Sequence, residues 1–426
     1  AARPPMAARA GSRSRSPPRP ARADPAAADA AQRRGHVRWY NGRRQIGVIR
    51  GDDGREVFIP VGGAGNRNLV PMTPGGLMHW TRVRYTPLLI GGPDGAAAGG
   101  ALREACANVV PCPDSPQPGL ECGVETRIGG RAANEDRLVA NDLYDLGFLA
   151  GVFDGHGGES CVDYVSQRLP VALHTCYVGR AQQLAGGVAS LTPAEEESLI
   201  SASICDAFAA TSEEFTQLAR REGISDGATA LVVLLAHGFE APPTESTVAS
   251  CGGGGAKLFV ANCGDSRAIL VRRRKAVALS VDHKPEREDE ARRIQRAGGV
   301  VIRDHCGTYR VGRKRGEQRT FLSTSRAFGD LELKEPRPLV IAEPEVVVHT
   351  LSPDDWAAVI CCDGVWNTMS DQDVADAVWQ VMAFQRGSTV DAAQEVANRA
   401  QATGSTDNVT VFVMRFGWAD PPARMM

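Results

Sequence analysis

No apolar run in this 426-residue sequence reaches the roughly 20 residues that a membrane-spanning helix requires, so no membrane association is expected. The Arg-, Pro- and Ala-rich start carries no apolar signal core either. The 11 cysteines form no Cys-x-x-Cys pair and no regular spacing. That argues against a disulfide framework or a zinc site and fits a reducing compartment, cytoplasmic or nuclear. None of them begins a Cys-x5-Arg phosphate loop, so a covalent thiolate mechanism has no candidate. The glycine run 252–255 lacks the following Lys-Ser/Thr of a nucleotide-binding loop and reads as a flexible connection. A formal net charge of −2 implies no bulk polyanion partner, although residues 1–50 hold twelve Arg against two Asp.

What is present centres on Val152-Phe153-Asp154-Gly155-His156-Gly157-Gly158. The apolar run 146–153 reads as a buried strand that ends in a carboxylate, then in a histidine among glycines. One Asp cannot hold a divalent ion, and other acidic strand ends exist. Asn134-Glu135-Asp136 lies upstream, Cys361-Cys362-Asp363-Gly364 repeats the pattern, and Asp407-Asn408 precedes the apolar run 409–414. Any one Asp-Gly pair is most simply a turn. Together the carboxylates suggest a hard-cation site built from oxygen ligands.

The surrounding words carry a resemblance. They are Arg131-Ala132-Ala133-Asn134-Glu135-Asp136, Phe153-Asp154-Gly155-His156-Gly157-Gly158, Asp226-Gly227-Ala228-Thr229-Ala230, Asn262-Cys263-Gly264-Asp265-Ser266-Arg267, Asp282-His283-Lys284-Pro285, Ser325-Arg326-Ala327-Phe328-Gly329-Asp330, Asp363-Gly364-Val365-Trp366 and Asp407-Asn408-Val409-Thr410. In this order, across about 122–416, they resemble the metal-dependent protein phosphatases of the 2C type. The resemblance implies an α+β fold, a β-sandwich flanked by helices, over 122–418. It implies two Mg²⁺ or Mn²⁺ ions. Asp154 would bridge them, with Asp363 and Asp407 on the first and Glu135 and the Gly155 carbonyl on the second. Arg131 would bind the phosphoryl group, and His156 would be the general acid for a leaving Ser or Thr oxygen. Asp265 would contribute to a third, weaker ion. The family's usual second contributor to that ion is an Asp where this chain has Asn367, so the third ion is expected to bind poorly. Asp136, Asp226, Asp282 and Asp330 are expected to support rather than act, and Thr229 and Ser266 to be core and turn residues. Phosphorylated proteins are the implied partners, and a monomer is expected.

Ahead of this lies a different composition. Residues 1–34 are an Arg/Ser/Pro-rich tail with no means of forming a core. Residues 35–41, 46–49 and 56–61 read as short strands, the last two joined by the Asp52-Asp53-Gly54 turn. The stretch 35–110 is similar to a cold-shock domain, a small OB-fold-like β-barrel for single-stranded RNA or DNA, with Trp39, Tyr40 and Phe58 as the stacking candidates. Ile46 and Val48 stand where that family usually carries aromatics, and Pro60 where His is usual. Losing stacking platforms worth about 1–3 kcal/mol each weakens nucleic-acid binding. Residues 111–121 read as a Pro-rich linker.

Within the larger domain, residues 160–174 read as a helix with Ser160 as N-cap, followed by a loop over 179–190. A second helix starts at Thr192-Pro193 and runs to 220. Further helices are expected over 286–297, 371–382 and 391–402. A basic flap over 303–320 is expected to attract phosphorylated substrates. The competing reading of the whole chain is a catalytically weak phosphatase fold that serves as a binding module, coupled to nucleic acid through the barrel.

Overall fold

The computed structural model describes residues 33–41, 46–51, 55–59, 82–90, 103–111, 119–143, 146–184, 191–236, 256–313 and 321–417. The Asp52-Asp53-Gly54 turn, Pro60, the glycine run 252–255, most of the tail and linker, and the flap cations Lys314, Arg315 and Arg319 lie outside these residues.

The first five strands are β1 (Arg33–Asn41), β2 (Ile46–Gly51), β3 (Glu56–Ile59), β4 (Arg82–Ile90) and β5 (Arg103–Pro111). They pair in the closed order β1-β2-β3-β5-β4, with β4 returning to β1. The register aligns Val37 with Ile49 and Ile49 with Val57, and all three are fully buried. β1 begins at Arg33, so the last two residues of the expected tail are paired strand.

The rest is a sandwich. Its strands are β6 (Gly119–Arg127), β7 (Asp136–Asp142), β8 (Gly147–His156), β9 (Gly227–Ala228), β10 (Ala230–Ala236), β11 (Lys257–Cys263), β12 (Arg267–Arg272), β13 (Lys275–Ala278), β14 (Val300–Arg303), β15 (Tyr309–Gly312), β16 (Phe328–Gly329), β17 (Glu345–Thr350), β18 (Asp355–Cys361) and β19 (Val409–Gly417). One sheet runs β16-β9-β8-β10-β11-β17, with β7 also on β8; the other runs β13-β12-β18-β19-β6. Every strand pairing within the two sheets is antiparallel. β6 takes in Gly119 to Glu121, which composition assigns to the linker, and Leu120 is buried there.

Among the described residues the α-helices are α1 (Ser160–Gln182), α2 (Pro193–Glu222), α3 (Glu288–Arg296), α4 (Leu331–Lys334), α5 (Asp363–Trp366), α6 (Asp371–Trp379) and α7 (Thr389–Ala402), and a π-helical turn, Gln380–Phe384, follows α6. α1 and α2 cover the outer face of the first sheet; α6 and α7 cover that of the second. The central strands are therefore buried on both faces, and their alternation is between two cores. Leu149 and Phe153 face the helices, while Phe148, Ala150 and Val152 face the other sheet. On β18 and β19, Val359 and Val411 face the helices, while Ile360 and Phe412 face inward. Each such apolar side chain contributes about 1.5–3 kcal/mol by leaving water.

The expected helix 371–382 is α-helical to Trp379 and π-helical from Gln380 to Phe384, and both ends of α1 differ from the sequence expectation. α1 continues to Gln182, through Pro170, because Leu173 and Tyr177 are buried against the helical core. That burial outweighs the about 3 kcal/mol cost of an interior proline. Ser160 is not its N-cap. The Asp226 carboxylate, 66 residues away, accepts the Ser160 N–H at 2.7 Å and the Cys161 N–H at 3.2 Å instead. α2 starts as expected, with a capping box in which Thr192 and Glu195 bond each other's backbone N–H.

Candidate active site

β8 delivers Asp154 from the first sheet to the open edge of the sandwich. Its backbone is pinned: the Asp154 carbonyl accepts the Thr229 N–H at 2.8 Å, and the Asp154 N–H donates to Thr229 Oγ1 at 3.3 Å. Ser266 Oγ stands 3.2 Å from the same hydroxyl, so both residues buttress the strand. Asp136, first residue of β7, pairs directly with Asp154. The second sheet brings the others. Asp363 follows β18 and opens α5, and Asp407 sits two residues before β19. Gly364 lets these two turns touch, since a Cβ there would fall 2.0 Å from the Asn408 carbonyl oxygen.

The electrostatics report the convergence. Burial pushes the Asp154 carboxyl well up, and the charges of Asp363, Asp136, Asp265 and Asp407 push it further. Burial and then Asp265 raise Asp363 to about 7. Burial raises Asp136 to about 6, against the Thr410 hydroxyl and Cys362 thiol beside it. Neither carboxylate oxygen of the buried Asp136 finds a partner of hydrogen-bonding geometry.

Among the described residues, no three His, Cys, Asp or Glu side chains stand as a finished ligand set. Other partners hold them. Arg131 Nη2 lies 2.7 Å from Asp407 Oδ2, Lys284 Nζ 2.5 Å from Asp265 Oδ2, and Asn367 Nδ2 3.0 Å from Asp363 Oδ2. The donor set still fits hard divalent cations. It is all oxygen, the neighbouring carboxylates raise the Asp154 carboxyl, and the buried oxygens of Asp136 beside it have no hydrogen-bond donor.

Glu135 and Arg131 ride the segment between β6 and β7, which Asn408 clamps. Asn408 Nδ2 donates to the carbonyls of Ile128 at 2.8 Å and Ala133 at 3.0 Å, and its Oδ1 accepts the Glu135 N–H at 2.9 Å. The Gly155 N–H in turn donates to the Glu135 carbonyl at 3.2 Å.

His156 ends β8, one step beyond Gly155. Its register partner is Gly227 on β9, which pairs with Gly329 on β16. That row sets the buried Asp330 beside the imidazole, with His156 Nε2 2.9 Å from Oδ1 and 3.0 Å from Oδ2. Burial pushes the imidazole pKa down, but the Asp330 charge and hydrogen bonds outweigh it and the net shift is up. Gly227 makes the pair possible: a Cβ there would lie 2.3 Å from Asp330 Oδ2 and 2.4 Å from His156 Nε2.

Three contributors were not assigned roles from sequence: the Asn408 clamp, the Gly227 gap and the Lys284 reach to Asp265. All three lie in the quoted words, but only the strand register shows what each touches. The flap is in part a hairpin, β14 with β15, whose cations are spent locally. Arg310 pairs with Asp304 at 2.7 Å, and Arg303 stacks 5.7 Å from the Tyr309 ring centroid. Trp39 and Tyr40 lie on β1 and Phe58 on β3, in the N-terminal strands rather than in this cluster.

The sequence profile of Protein phosphatase 2C matches residues 122–409. The probable protein phosphatase 2C member 13, mitochondrial, of Oryza sativa subsp. japonica is 32% identical over 334 residues, covering 76% of this chain and 73% of that one. The probable protein phosphatase 2C 59 of Arabidopsis thaliana is 32% identical over 327 residues, covering 76% of this chain and 84% of its own. A crystal structure of serine-threonine phosphatase 2C from Toxoplasma gondii superposes with a TM-score of 0.57 at 25% identity, over 72% of this chain and 98% of that one. With acidic strand ends from two sheets gathered around one edge, the chain belongs to the protein phosphatase 2C family and is a protein serine/threonine phosphatase.

Proposed function

We propose that the chain hydrolyses phosphoserine and phosphothreonine in proteins by direct attack of water, with two divalent cations held by Asp154, Asp363, Asp407, Glu135 and the Gly155 carbonyl. Mg²⁺ or Mn²⁺ bound there supplies a nucleophilic water at neutral pH and neutralises phosphoryl oxygens. The observation that carries the reading is that Asp154, Asp363 and Asp136 are all raised, each first by burial and then by neighbouring carboxylates, a concentration of buried negative charge that a cation would relieve.

The chain's own groups have separate tasks. Arg131 presents a guanidinium whose exposed remainder suits two phosphoryl oxygens. Asp330 engages His156 at Nε2 and raises the imidazole pKa, which leaves Nδ1 as the nitrogen to give a proton to the leaving Ser or Thr oxygen. Asp265, engaged by Lys284, and Asn367 in place of a carboxylate leave a third cation only weak support.

Hydrolysis of a phosphothreonine peptide by the purified chain, with Mn²⁺ or Mg²⁺ and then with excess chelator, tests this. Turnover that persists after chelation, or absence of turnover with either metal in a folded sample, removes it.

The N-terminal strands support a second activity beside the first. A closed order β1-β2-β3-β5-β4 around Val37, Ile49 and Val57 suits a small OB-type barrel of the cold-shock kind. The backbone register aligns Trp39 with Val48 and Val48 with Phe58. Weak, salt-sensitive binding of single-stranded RNA or DNA follows. Anisotropy of a labelled oligonucleotide with the full chain and with Trp39→Ala tests it; equal binding by both excludes this surface.

A further inference from the structure

Beside the catalytic cluster lies an open cavity of about 450 Å³, walled in part by Arg267, Val281, Asp282, Lys284, Glu286 and Asp371. Its cations are already engaged. Arg267 donates to both oxygens of Asp282 at 2.8 Å and to Asp371 Oδ1 at 2.6 Å, and its guanidinium lies 5.2 Å from the Trp366 ring centroid. Lys284 reaches out of the cavity to Asp265 at 2.5 Å. The carboxylates are not equally spent. Glu286 is exposed and has no hydrogen-bond or ion-pair partner among the described residues, and Asp371 uses only Oδ1. In the same lining Val281 stands 59% exposed and adds an apolar part to the wall.

A long aliphatic stem with a cationic head matches an apolar wall rimmed by uncommitted carboxylate. An acidic side chain does not, because it would meet Glu286 and find every nearby cation already paired. Lys284 belongs both to this cavity and to the Asp265 side of the catalytic cluster, so a single side chain separates the two. At about 3.3 Å per extended residue, side chains one to three residues from the phosphorylated one lie within about 3–10 Å of it along the chain, the range in which a neighbouring subsite is reached.

We propose that this cavity is a substrate-recognition subsite that takes an arginine or lysine side chain flanking the phosphorylated residue, with Glu286 as its main ion-pair partner. The inference rests on the hydrolytic reading above only for where the phosphorylated residue sits.

The test uses the full chain with Mn²⁺ and a set of phosphothreonine peptides. Each carries Arg, Ala or Glu at one position from three before to three after the phosphothreonine. The expected result is a kcat/KM about tenfold higher for Arg than for Ala at one of these positions, arising in KM. In Glu286→Lys the ratio is expected to collapse and the Glu peptide to become the better substrate. Equal kcat/KM for Arg and Ala at all positions, or an Arg preference intact in Glu286→Lys, overturns the proposal. Anisotropy with the same peptides bearing a non-hydrolysable phosphonate reads the cavity without turnover. If no peptide is hydrolysed, an Arg preference in binding that Glu286→Lys reverses upholds the subsite while the hydrolytic reading falls. Binding without that preference overturns the subsite itself.

Discussion

The imidazole Nε2 of His156 stands 2.9 Å from one carboxylate oxygen of Asp330 and 3.0 Å from the other. The anion is buried, so its charge acts on the ring with little screening. Asp330→Asn keeps the shape and removes the charge. A general acid contributes about 10²–10⁴-fold, and a misprotonated one loses part of that. We expect kcat to fall by about 10²-fold and the alkaline limb of its pH profile to move to lower pH, because the raised imidazole pKa relaxes downward. A pH–rate series on both proteins checks this; an unmoved alkaline limb assigns the proton to another group.

Gly227→Ala tests the same pair from the backbone side. Its Cβ would lie 2.3 Å from Asp330 Oδ2 and 2.4 Å from His156 Nε2, so the two side-chain ends have to part. The expected outcome is a folded protein with kcat lowered about as far as in His156→Gln, since both remove one general acid. Full activity in Gly227→Ala means the pair is not needed.

The metal-free protein carries an electrostatic burden at Asp363, whose carboxyl is raised to about 7. A carboxylate raised on folding contributes stability at acid pH that is lost as pH rises from about 4 to 7. The shift corresponds to at most about 4 kcal/mol, and screening at this partly exposed edge reduces it to about 1–2 kcal/mol. At pH 8 with chelator, Asp363→Asn is therefore expected to melt a few degrees higher than the parent while losing hydrolysis and the stabilisation by Mn²⁺. Calorimetry with and without metal measures both; a lower melting temperature for the metal-free variant contradicts the sign.

His283 works in the opposite direction. It is fully buried, its Nδ1 accepts the Gly264 N–H at 3.1 Å, and burial followed by the Arg326 charge lowers its pKa to about 4. The unfolded chain then binds the extra proton between about pH 6.5 and 4, so stability is lost as pH falls through that window. The loss is at most about 3 kcal/mol. Urea midpoints across pH 4–8 should show it in the parent and a shallower acid slope in His283→Asn, whose amide oxygen can replace Nδ1 as acceptor.

Asn408→Ala removes three side-chain hydrogen bonds to the segment that carries Arg131 and Glu135. At about 1 kcal/mol each, we expect a loss of 2–3 kcal/mol and weaker Mn²⁺ binding. Denaturant unfolding and a metal titration give the two values. Loss of stability with unchanged metal affinity would detach Glu135 from the metal.

Much of the larger domain was legible because its central strands are uniform apolar runs that end in carboxylates. Phe153-Asp154 and Cys362-Asp363 announce a strand and its chemistry together. Thr192-Pro193 announces a helix start through short-range bonding alone. What stayed hidden depends on distant partners. The two-residue strands β9 and β16 are too short to show a period, yet they set Asp330 on His156. Ser160 has the composition of a cap but loses that place to Asp226. The end of α1 follows from the burial of Tyr177, and the meeting of Glu286, Val281 and Asp371 in one cavity wall follows from how distant segments pack. Neither leaves a mark in local spacing.

Asp154 hangs from one sheet, and Asp363 and Asp407 from the other. Under the proposed ligand set, the cluster without cations would be a wedge of like charge at the mouth of the sandwich, and with them a rivet through both leaves. Amide exchange should then slow on ion binding at the ends of β8, β18 and β19 together, and least at their far ends, as two leaves that breathe apart become one.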